Sequence, residues 1–410
     1  MYNLYGMGEA GIDSSITRKV EQGERLSFAD GVDLYRSGDL IGLGRLADRV
    51  RVRLNGDSAF YNVNRHINYT NVCVIDCQLC QGAYARKPGE DGGYTMTLDQ
   101  VFSFAEQKTN DSVTEFHIVG GLNPELPFQY YLDLLEGLKL RFPTVHLKAF
   151  TMVELDFFTK ITRKPLEWVI ERLKDAGMGS CPGGGAEIFS ARVRPLIAGH
   201  KISGERWLEC ARVLHGAGIR SNATMLYGHL ETIEERVDHL IRLRELQDET
   251  SGFNCLIPLA FHPENTGLGD LQPTTGTDDL RTIAVSRLML DNFQHIKAYW
   301  VAITPGLAQV ALRFGADDLD GTVIEERIIH GAGSDTSLGM TRNQIEQLIR
   351  DAGCTPIERD TLYEPVGRAR GEAGGPSLTS GVRSPKSEVQ GPRSTVGSPD
   401  GGSNQLKANS

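Results

Sequence analysis

The sequence predicts a (β/α)8 barrel of the TIM type, and three observations favour this fold. Segments with the patterns of strands and of amphipathic helices alternate from about residue 59 to residue 362. The hydrophobic fraction of the 410 residues is 40%, which is enough to bury a sizeable core. Several helical segments end in glycine, as in "KDAGMG" and "HGAGIR". Eight strands joined by crossovers fit a closed barrel, with a doubly wound open sheet as the alternative.

A helical extension is predicted before the barrel, over residues 1–58. Apolar residues recur there at helical spacing, and Ser27, followed three residues later by Asp30, is a possible N-terminal cap. The barrel itself is predicted over residues 59–362. Its eight strands are expected at residues 67–74, 115–121, 145–151, 177–183, 221–228, 254–261, 296–302 and 315–322.

Polar side chains are concentrated near the carboxyl ends of five predicted strands. In a barrel of this kind the reactive groups lie at that end of the strands. We therefore expect the five polar segments to meet around one site. They are residues 117–121, 148–154, 183–187, 227–231 and 262–265.

The last part of the chain, residues 369–410, is rich in Gly, Ser and Pro and nearly free of large apolar side chains. Such a segment cannot bury enough surface to offset the entropy that it loses on ordering. It is therefore predicted to be a disordered tail.

Charge and hydropathy exclude two classes of partner. The formal net charge is −10, which disfavours non-specific binding to nucleic acid. No run of eighteen apolar residues occurs, so a membrane-spanning helix is not expected. The N-terminus has no apolar segment after a basic start and does not resemble a signal peptide. These features favour a cytoplasmic protein.

Three of the seven cysteines lie within eight residues of one another, in the segment "NVCVIDCQLCQGAYAR". An odd number with this clustering does not fit a disulfide framework. The pattern Cys73-x3-Cys77-x2-Cys80 predicts the ligands of a 4Fe–4S cluster, because short loops let each thiolate reach a different iron. Three thiolates leave one iron free to chelate S-adenosylmethionine (SAM). The alternative is zinc bound by three cysteines with His66.

The cysteine motif resembles that of the radical SAM superfamily. Other stretches resemble the aminofutalosine (aminodeoxyfutalosine) synthase family, and they extend from about residue 20 to residue 350. They include "FYNVNRHINYTNVC", "HLKAFTMVE", "CPGGGAEIFSARVR" and "IPLAFHPENT". The surroundings of the motif depart from the family pattern, because Leu79 stands where an aromatic residue is common and Gln81-Gly82 follow the third cysteine.

The resemblance implies a specific reaction. A 5′-deoxyadenosyl radical would add to the enol double bond of 3-(1-carboxyvinyloxy)benzoate, with loss of carbon dioxide or bicarbonate, to give aminodeoxyfutalosine for menaquinone biosynthesis. An electron donor such as flavodoxin or ferredoxin would be a partner. Sister families, cyclic dehypoxanthinyl futalosine synthase and FO synthase, share several of the stretches and remain the alternative. A non-catalytic zinc-stabilised scaffold is a remote one.

Four residues are expected to bind SAM, largely from the resemblance. The glycine pair Gly120 and Gly121 would contact its methionine part, or form an ordinary tight turn. Glu187, expected at the start of a helix after a glycine-rich turn, would hold the ribose, or complement the helix dipole. Tyr227 would line the adenine pocket, or pack in the core.

The substrate carries two carboxylates, so cationic side chains near the strand ends are candidates to bind it. Imidazoles are candidates for moving protons, since their unperturbed pKa lies near neutrality. The carboxylate-binding candidates are Lys148, Arg192, Arg194 and His117, and the proton-transfer candidates are His66, His229 and His262, of which His262 is also a carboxylate candidate.

Overall fold

A computed structural model describes residues 11–80, 83–109 and 112–367 of the chain. The predicted tail, 369–410, lies outside the described residues, as do Gln81 and Gly82. No helix of the described part is long and apolar enough to cross a membrane.

The chain alternates helices and strands along most of the described part. The helices are α1 (Ser14–Gln22), α2 (Phe28–Arg36), α3 (Leu40–Asn55), α4 (Leu98–Lys108), α5 (Phe128–Arg141), α6 (Met152–Thr162), α7 (Leu166–Asp175), α8 (Arg194–Ala198), α9 (Gly204–Gly216), α10 (Ile233–Thr250), α11 (Gly276–Met289), α12 (Trp300–Ile303), α13 (Pro305–Ala311), α14 (Ile328–Ala332) and α15 (Arg342–Asp351). The strands are β1 (Ser58–Asn62), β2 (Asn64–Ile67), β3 (Glu115–Ile118), β4 (His146–Ala149), β5 (Ser180–Cys181), β6 (Arg220–Tyr227), β7 (Phe253–Ala260), β8 (His295–Ile296), β9 (Asp318–Gly321) and β10 (Thr355–Glu358).

Seven strands, β2 to β8, form a parallel sheet in the order of the sequence. The segment from β9 onward closes this sheet, because Asp318 bridges to Lys297 beside β8 and Ile324 bridges to Arg65 in β2. The His66 N–H donates to the Ile324 carbonyl at 3.1 Å, across the same seam. The predicted (β/α)8 barrel is thus confirmed, with β9 as its eighth strand.

A second, smaller sheet has the order β10-β1-β9 and closes one end of the barrel. Its last strand is followed by a segment that fills the barrel's base. There Arg359 Nε pairs with Asp318 at 2.6 Å, and the Thr361 hydroxyl donates to the Glu115 carboxylate at 2.7 Å. Neither β1 nor β10 is among the predicted strands.

In the described part of the chain, which starts at residue 11, three helices (α1 to α3) precede β1, and α2 begins at the predicted cap. The Ser27 hydroxyl accepts from the Asp30 N–H, while the Asp30 carboxylate accepts from the Ser27 N–H, so the two residues form a capping box. Helix α3 packs on α11, and α2 packs on α10 and α11. The extension therefore covers helices on the outside of the barrel.

The first predicted strand, 67–74, is wrong. Strand β2 ends at Ile67, and the next residues form the loop that carries the cysteines. All four residues of β2 are buried, including the polar Asn64 and Arg65, so the strand lacks the apolar pattern of a buried strand. Two other predicted strands are much shorter: β5 has only Ser180 and Cys181, and most of 296–302 lies after β8 and in α12.

Candidate functional site

The loop after β2 carries three free thiols, Cys73, Cys77 and Cys80, to the wall of one cavity. The cavity has a volume of about 320 Å³ and lies at the carboxyl ends of the strands. The loop is held by backbone hydrogen bonds, with the Cys73 N–H donating to Arg86 and the Gln78 N–H donating to Ile197, the latter at 2.9 Å. The thiols are therefore presented by a loop whose backbone is anchored on both sides.

Three cysteine thiols on one short loop are a donor set that suits a 4Fe–4S cluster. Among the described residues, no group of three potential ligands has the spacing to hold one metal ion. His66 is not gathered with the cysteines either, since its ring stacks on His117 with centroids 4.3 Å apart.

Lys201 and Glu187 form a buried ion pair beside the cysteine loop. The Lys201 Nζ lies 2.6 Å from Glu187 Oε1, and both side chains line the cavity. Burial opposes the charge on Glu187, but Lys201 outweighs it and lowers the pKa of the carboxyl group. A hydrogen bond from Cys80 holds the pKa of the Cys77 thiol below its usual value, and Lys201 contributes. This arrangement favours a thiolate at Cys77.

The predicted position of Glu187 at a helix start is wrong. The segment after β5 has no regular structure until α8 begins at Arg194. Glu187 has a left-handed backbone, with φ of 46°, and its carbonyl accepts from the Leu226 N–H of β6. The helix-dipole interpretation of this carboxylate therefore has no basis, and the side chain faces the cavity.

Gly120 and Gly121 line the cavity, as expected, but their N–H groups are engaged within the protein. The Gly121 N–H donates to the Thr70 carbonyl at 2.9 Å. A Cβ at Gly121 would lie 2.2 Å from the Val72 carbonyl oxygen, so this glycine permits the close approach of the cysteine loop. The Gly120 N–H donates to Glu154 Oε1 at 3.2 Å.

Glu154 is a buried carboxylate in the cavity wall that connects three elements. It caps α6 through Thr151, accepts from the Gly120 N–H, and accepts from the Tyr69 hydroxyl at 2.7 Å. Burial raises the pKa of this carboxyl group despite the hydrogen bonds. Glu154 stands at the end of a polar segment that the sequence placed at the site, whereas no sequence signal marks Lys201. Sequence reasoning assigned neither residue.

Several predicted site residues lie away from the cavity. Tyr227 points outward, and its hydroxyl donates to Asp279 of α11 at 2.8 Å. His229 is fully buried, with Nδ1 at 3.0 Å from Glu231. Tyr227 thus belongs to the packing of β6 against α11. The ring of His229 lies edge-on to the cavity residue Phe261, with centroids 6.0 Å apart, but does not itself line the cavity.

Three of the predicted carboxylate-binding cations are engaged elsewhere. Arg194 is buried and donates to backbone carbonyls, among them Ile188 at 3.2 Å, which holds the glycine-rich turn in place. Arg192 is exposed and pairs with Glu235 at 2.6 Å. Lys148 pairs with Glu115 at 2.7 Å inside the barrel, where both side chains are at most 2% exposed. None of them lines the cavity.

The remaining candidates, His66, His117 and His262, do line the cavity. Burial lowers the pKa of both His66 and His117, so their imidazoles are neutral at neutral pH. Nε2 of His262 lies 2.9 Å from the Ala302 carbonyl. A carbonyl accepts only, so Nε2 carries the proton and Nδ1 of neutral His262 has a free lone pair.

Comparison with known proteins identifies related sequences over nearly the whole chain. The radical SAM superfamily model matches residues 67–243, and the model of the CofH/MqnC C-terminal region matches residues 250–370. The chain is 49% identical over 355 residues to aminodeoxyfutalosine synthase of Thermus thermophilus, covering 86% of this chain and 95% of the relative. It is 45% identical to aminodeoxyfutalosine synthase of Streptomyces coelicolor, covering 87% of this chain and 94% of the relative.

The fold matches solved structures as well. The structure of methylornithine synthase superimposes with a TM-score of 0.63 at 16% sequence identity, over 83% of this chain and 97% of the other. At that identity the match supports the architecture alone.

Proposed function

This chain belongs to the aminodeoxyfutalosine synthase family of radical SAM enzymes, and we propose on that basis that it joins the 5′-deoxyadenosyl group of SAM to 3-(1-carboxyvinyloxy)benzoate. Carbon dioxide or bicarbonate is released, and the product is 6-amino-6-deoxyfutalosine, a precursor of menaquinone. The observation that carries the proposal is the 49% identity to the Thermus thermophilus enzyme over 95% of its length.

The cofactors are a 4Fe–4S cluster and SAM, as in the superfamily. Cys73, Cys77 and Cys80 would hold the cluster, and their arrangement on one cavity wall supports this assignment. When bound, the cluster supplies the electron that cleaves SAM into methionine and the 5′-deoxyadenosyl radical. The protein's own contribution is to bind, orient and shield the reactants.

Glu187 would bind the ribose hydroxyls of SAM. Its carboxylate faces the cavity, stays ionised beside Lys201, and therefore accepts hydrogen bonds strongly. Gly120 and Gly121 would border the methionine part, since they lie in the cavity wall next to the cysteine loop. Lys201 positions Glu187 and adds one positive charge near the thiolates.

The part of the cavity wall that comes from β7 is suited to a radical reaction. Ile257, Leu259 and Phe261 of β7 and the segment after it make it apolar, which excludes water from the reacting atoms. The neutral imidazoles of His66 and His117 offer hydrogen bonds there without adding charge. Nδ1 of His262 would accept a proton or a hydrogen bond from the substrate.

The test of this function is the product of an anaerobic incubation with SAM, a reductant and 3-(1-carboxyvinyloxy)benzoate. Mass spectrometry should find a product that contains the adenosine carbon atoms. The match to the CofH/MqnC C-terminal region keeps one alternative, a hydrogen abstraction of the kind used by cyclic dehypoxanthinyl futalosine synthase or FO synthase. Free 5′-deoxyadenosine with no adenosylated product would favour that alternative.

The proposal includes a partner and a location. One electron per cleavage has to reach the cluster, so a carrier such as flavodoxin or ferredoxin would supply it. A reducing cytoplasm suits the seven cysteines, which are all free in the described chain.

A further inference from the structure

A second cavity adjoins the cluster cavity, and the imidazole of His66 lines both. Its volume is about 540 Å³. One wall is the face of α4, with Gln100, Ser103 and Phe104. The other wall is the segment between β9 and α14, with Glu325 and Arg327. The established cofactors do not account for this space.

The cluster cavity is small for everything that the reaction requires. At about 320 Å³ it lies near the lower limit of pockets that hold one drug-sized ligand, roughly 300–1,000 Å³. The cluster and SAM have to occupy it together, with the enol group of the substrate next to SAM. The benzoate ring therefore needs room beyond the cluster cavity, and the second cavity shares His66 with it.

His66 lies between the two cavities, since its side chain lines both. It is 5% exposed, and within the part of the chain that the structure describes its buried Nε2 has no hydrogen-bond partner. Buried polar atoms are normally satisfied, so an orphaned one in a cavity wall indicates a ligand that supplies the bond. A ligand group lying against this imidazole would satisfy it.

Arg327 is the cation of the second cavity. Its guanidinium lies over the Tyr94 ring, 5.8 Å from the centroid. No acidic side chain among the described residues forms an ion pair with it, and its neighbour Glu325 lies 3.9 Å from the buried Arg65. A guanidinium without a carboxylate partner, beside an aromatic ring, is suited to bind an aromatic acid, because it pairs with carboxylates through two parallel hydrogen bonds.

We propose that the second cavity binds the benzoate part of the substrate and that Arg327 receives the ring carboxylate, with His66 between the ring and the enol group. This inference rests on the proposed function and makes Arg327 a specificity-determining residue. It also explains how a dianionic substrate is bound although Lys148, Arg192 and Arg194 are engaged elsewhere.

The experiment compares two ligands on the cluster-loaded, full-length protein without reductant. The ligands are 3-(1-carboxyvinyloxy)benzoate and 2-phenoxyacrylate, which lacks only the ring carboxylate, and their affinities are measured anaerobically by calorimetry in the presence of SAM. Arg327→Gln should weaken binding of the first about ten- to a hundred-fold, the usual effect of losing a charge-assisted pair, and leave the second unchanged. Arg327→Lys should lose less, because it keeps the charge.

Arg192→Gln is the matched control, since Arg192 is also exposed but lies outside both cavities. It should change neither affinity. Equal effects of Arg327→Gln on the two ligands, or no effect on either, would overturn the inference. Product formation by the wild-type protein tests the proposed function separately. If the wild-type enzyme makes the product but binds both ligands equally, only the assignment of Arg327 is refuted. A wild-type protein that binds neither ligand refutes both.

Discussion

At the scale of single residues, the site depends on charges that are buried in pairs. Lys201 lies against Glu187 and next to Cys77, so one ammonium group supports both the proposed ribose contact and a proposed cluster ligand. An ion removed from water is tolerated only with such a partner. Lys201 is therefore the side chain that connects the proposed ribose contact with Cys77.

The cysteine assignment predicts which substitutions remove iron. Cys77→Ala should abolish cluster binding and SAM cleavage, since each thiolate holds a different iron. Cys210→Ala should retain about four irons per chain, because Cys210 is packed in the interior face of α9. Iron analysis and the visible absorption of the anaerobically reconstituted proteins measure both. A Cys77→Ala protein with full iron content would refute the assignment.

The ribose contact is tested by Glu187→Gln. Loss of the charged acceptor should weaken SAM binding roughly ten- to a hundred-fold, equivalent to about 1.5–3 kcal/mol, and leave the cluster spectrum intact. Glu205→Gln is the control: Glu205 also pairs with a cation, Arg242 at 3.0 Å, but it lies on the surface. Equilibrium binding of SAM to both variants tests the ribose contact. An unchanged SAM affinity of the Glu187→Gln variant would show that Glu187 is not part of the SAM site.

Glu231 gives a pH dependence of stability. Burial disfavours its charge, but the hydrogen bond from His229 and the charge of Arg236 lower its pKa from 4.5 to about 2. A carboxyl group whose pKa is lowered on folding contributes stability above the unfolded value and loses it as the pH falls through the folded value. The contribution, on the order of 3 kcal/mol at neutral pH, should therefore fade between pH 4.5 and about 2.

The contribution of Glu231 to stability is checked by urea unfolding of the wild-type protein and of Glu231→Gln at pH 7 and at pH 3.5. The variant should be less stable at pH 7, and the difference between the two proteins should narrow at pH 3.5. A difference that is the same at both pH values would show that Glu231 is not the titrating group.

At the scale of elements, the site is a junction between a loop and the ends of strands. The cysteine loop passes so close to the end of β3 that only a glycine fits at position 121. Glu154 joins the same region to α6 and to Tyr69. The position of the thiols is thus determined by the strand ends as much as by the loop's own sequence.

This close contact makes a prediction about Gly121→Ala. The new methyl group would lie 2.2 Å from the Val72 carbonyl oxygen, which is a steric clash with the backbone. The cysteine loop should therefore shift to relieve it. We expect lower iron content after reconstitution with a largely unchanged far-ultraviolet circular dichroism spectrum. Gly216→Ala, where an added Cβ meets nothing within 4 Å, should behave as the wild type. Normal iron content in Gly121→Ala would contradict this account.

At the scale of the whole molecule, the barrel is completed by residues close to its carboxyl end. Strand β10 pairs with β1, and the segment behind it pairs Arg359 with Asp318 and Thr361 with Glu115. The base is therefore sealed by a part of the chain that lies about 300 residues beyond β1. Such long-range contacts join the last strand of the described chain to the first.

Two truncations test the role of the carboxyl-terminal part of the chain in closing the base of the barrel. Removal of residues 370–410 should leave activity and thermal stability unchanged, because the described barrel is complete before that point. Removal of the chain from Thr355 onward should lower the melting temperature strongly, because Asp318 and Glu115 lose buried partners. Thermal unfolding followed by circular dichroism measures both, and an unstable or inactive 1–369 protein would show that the tail has a structural role.

The sequence by itself determined the barrel and the clustering of the three cysteines. Both depend on local order: alternating apolar patterns specify strands and helices, and three cysteines in one short loop remain neighbours in any fold. It also placed Gly120, Gly121 and Glu187 at the cavity wall. Family resemblance carried these last assignments.

Only the tertiary structure decided which cations are free to bind a ligand. Nothing in the sequence distinguishes Arg327 from Arg194, Arg192 and Lys148. In the folded chain, each of the last three is engaged by a partner within the protein. Likewise Lys201, which no motif marks, meets Glu187 and Cys77 through packing of the loop before α9. The sequence determines which side chains carry a charge. The folded chain determines which partner each charge meets, and the function of a buried ion depends on that partner.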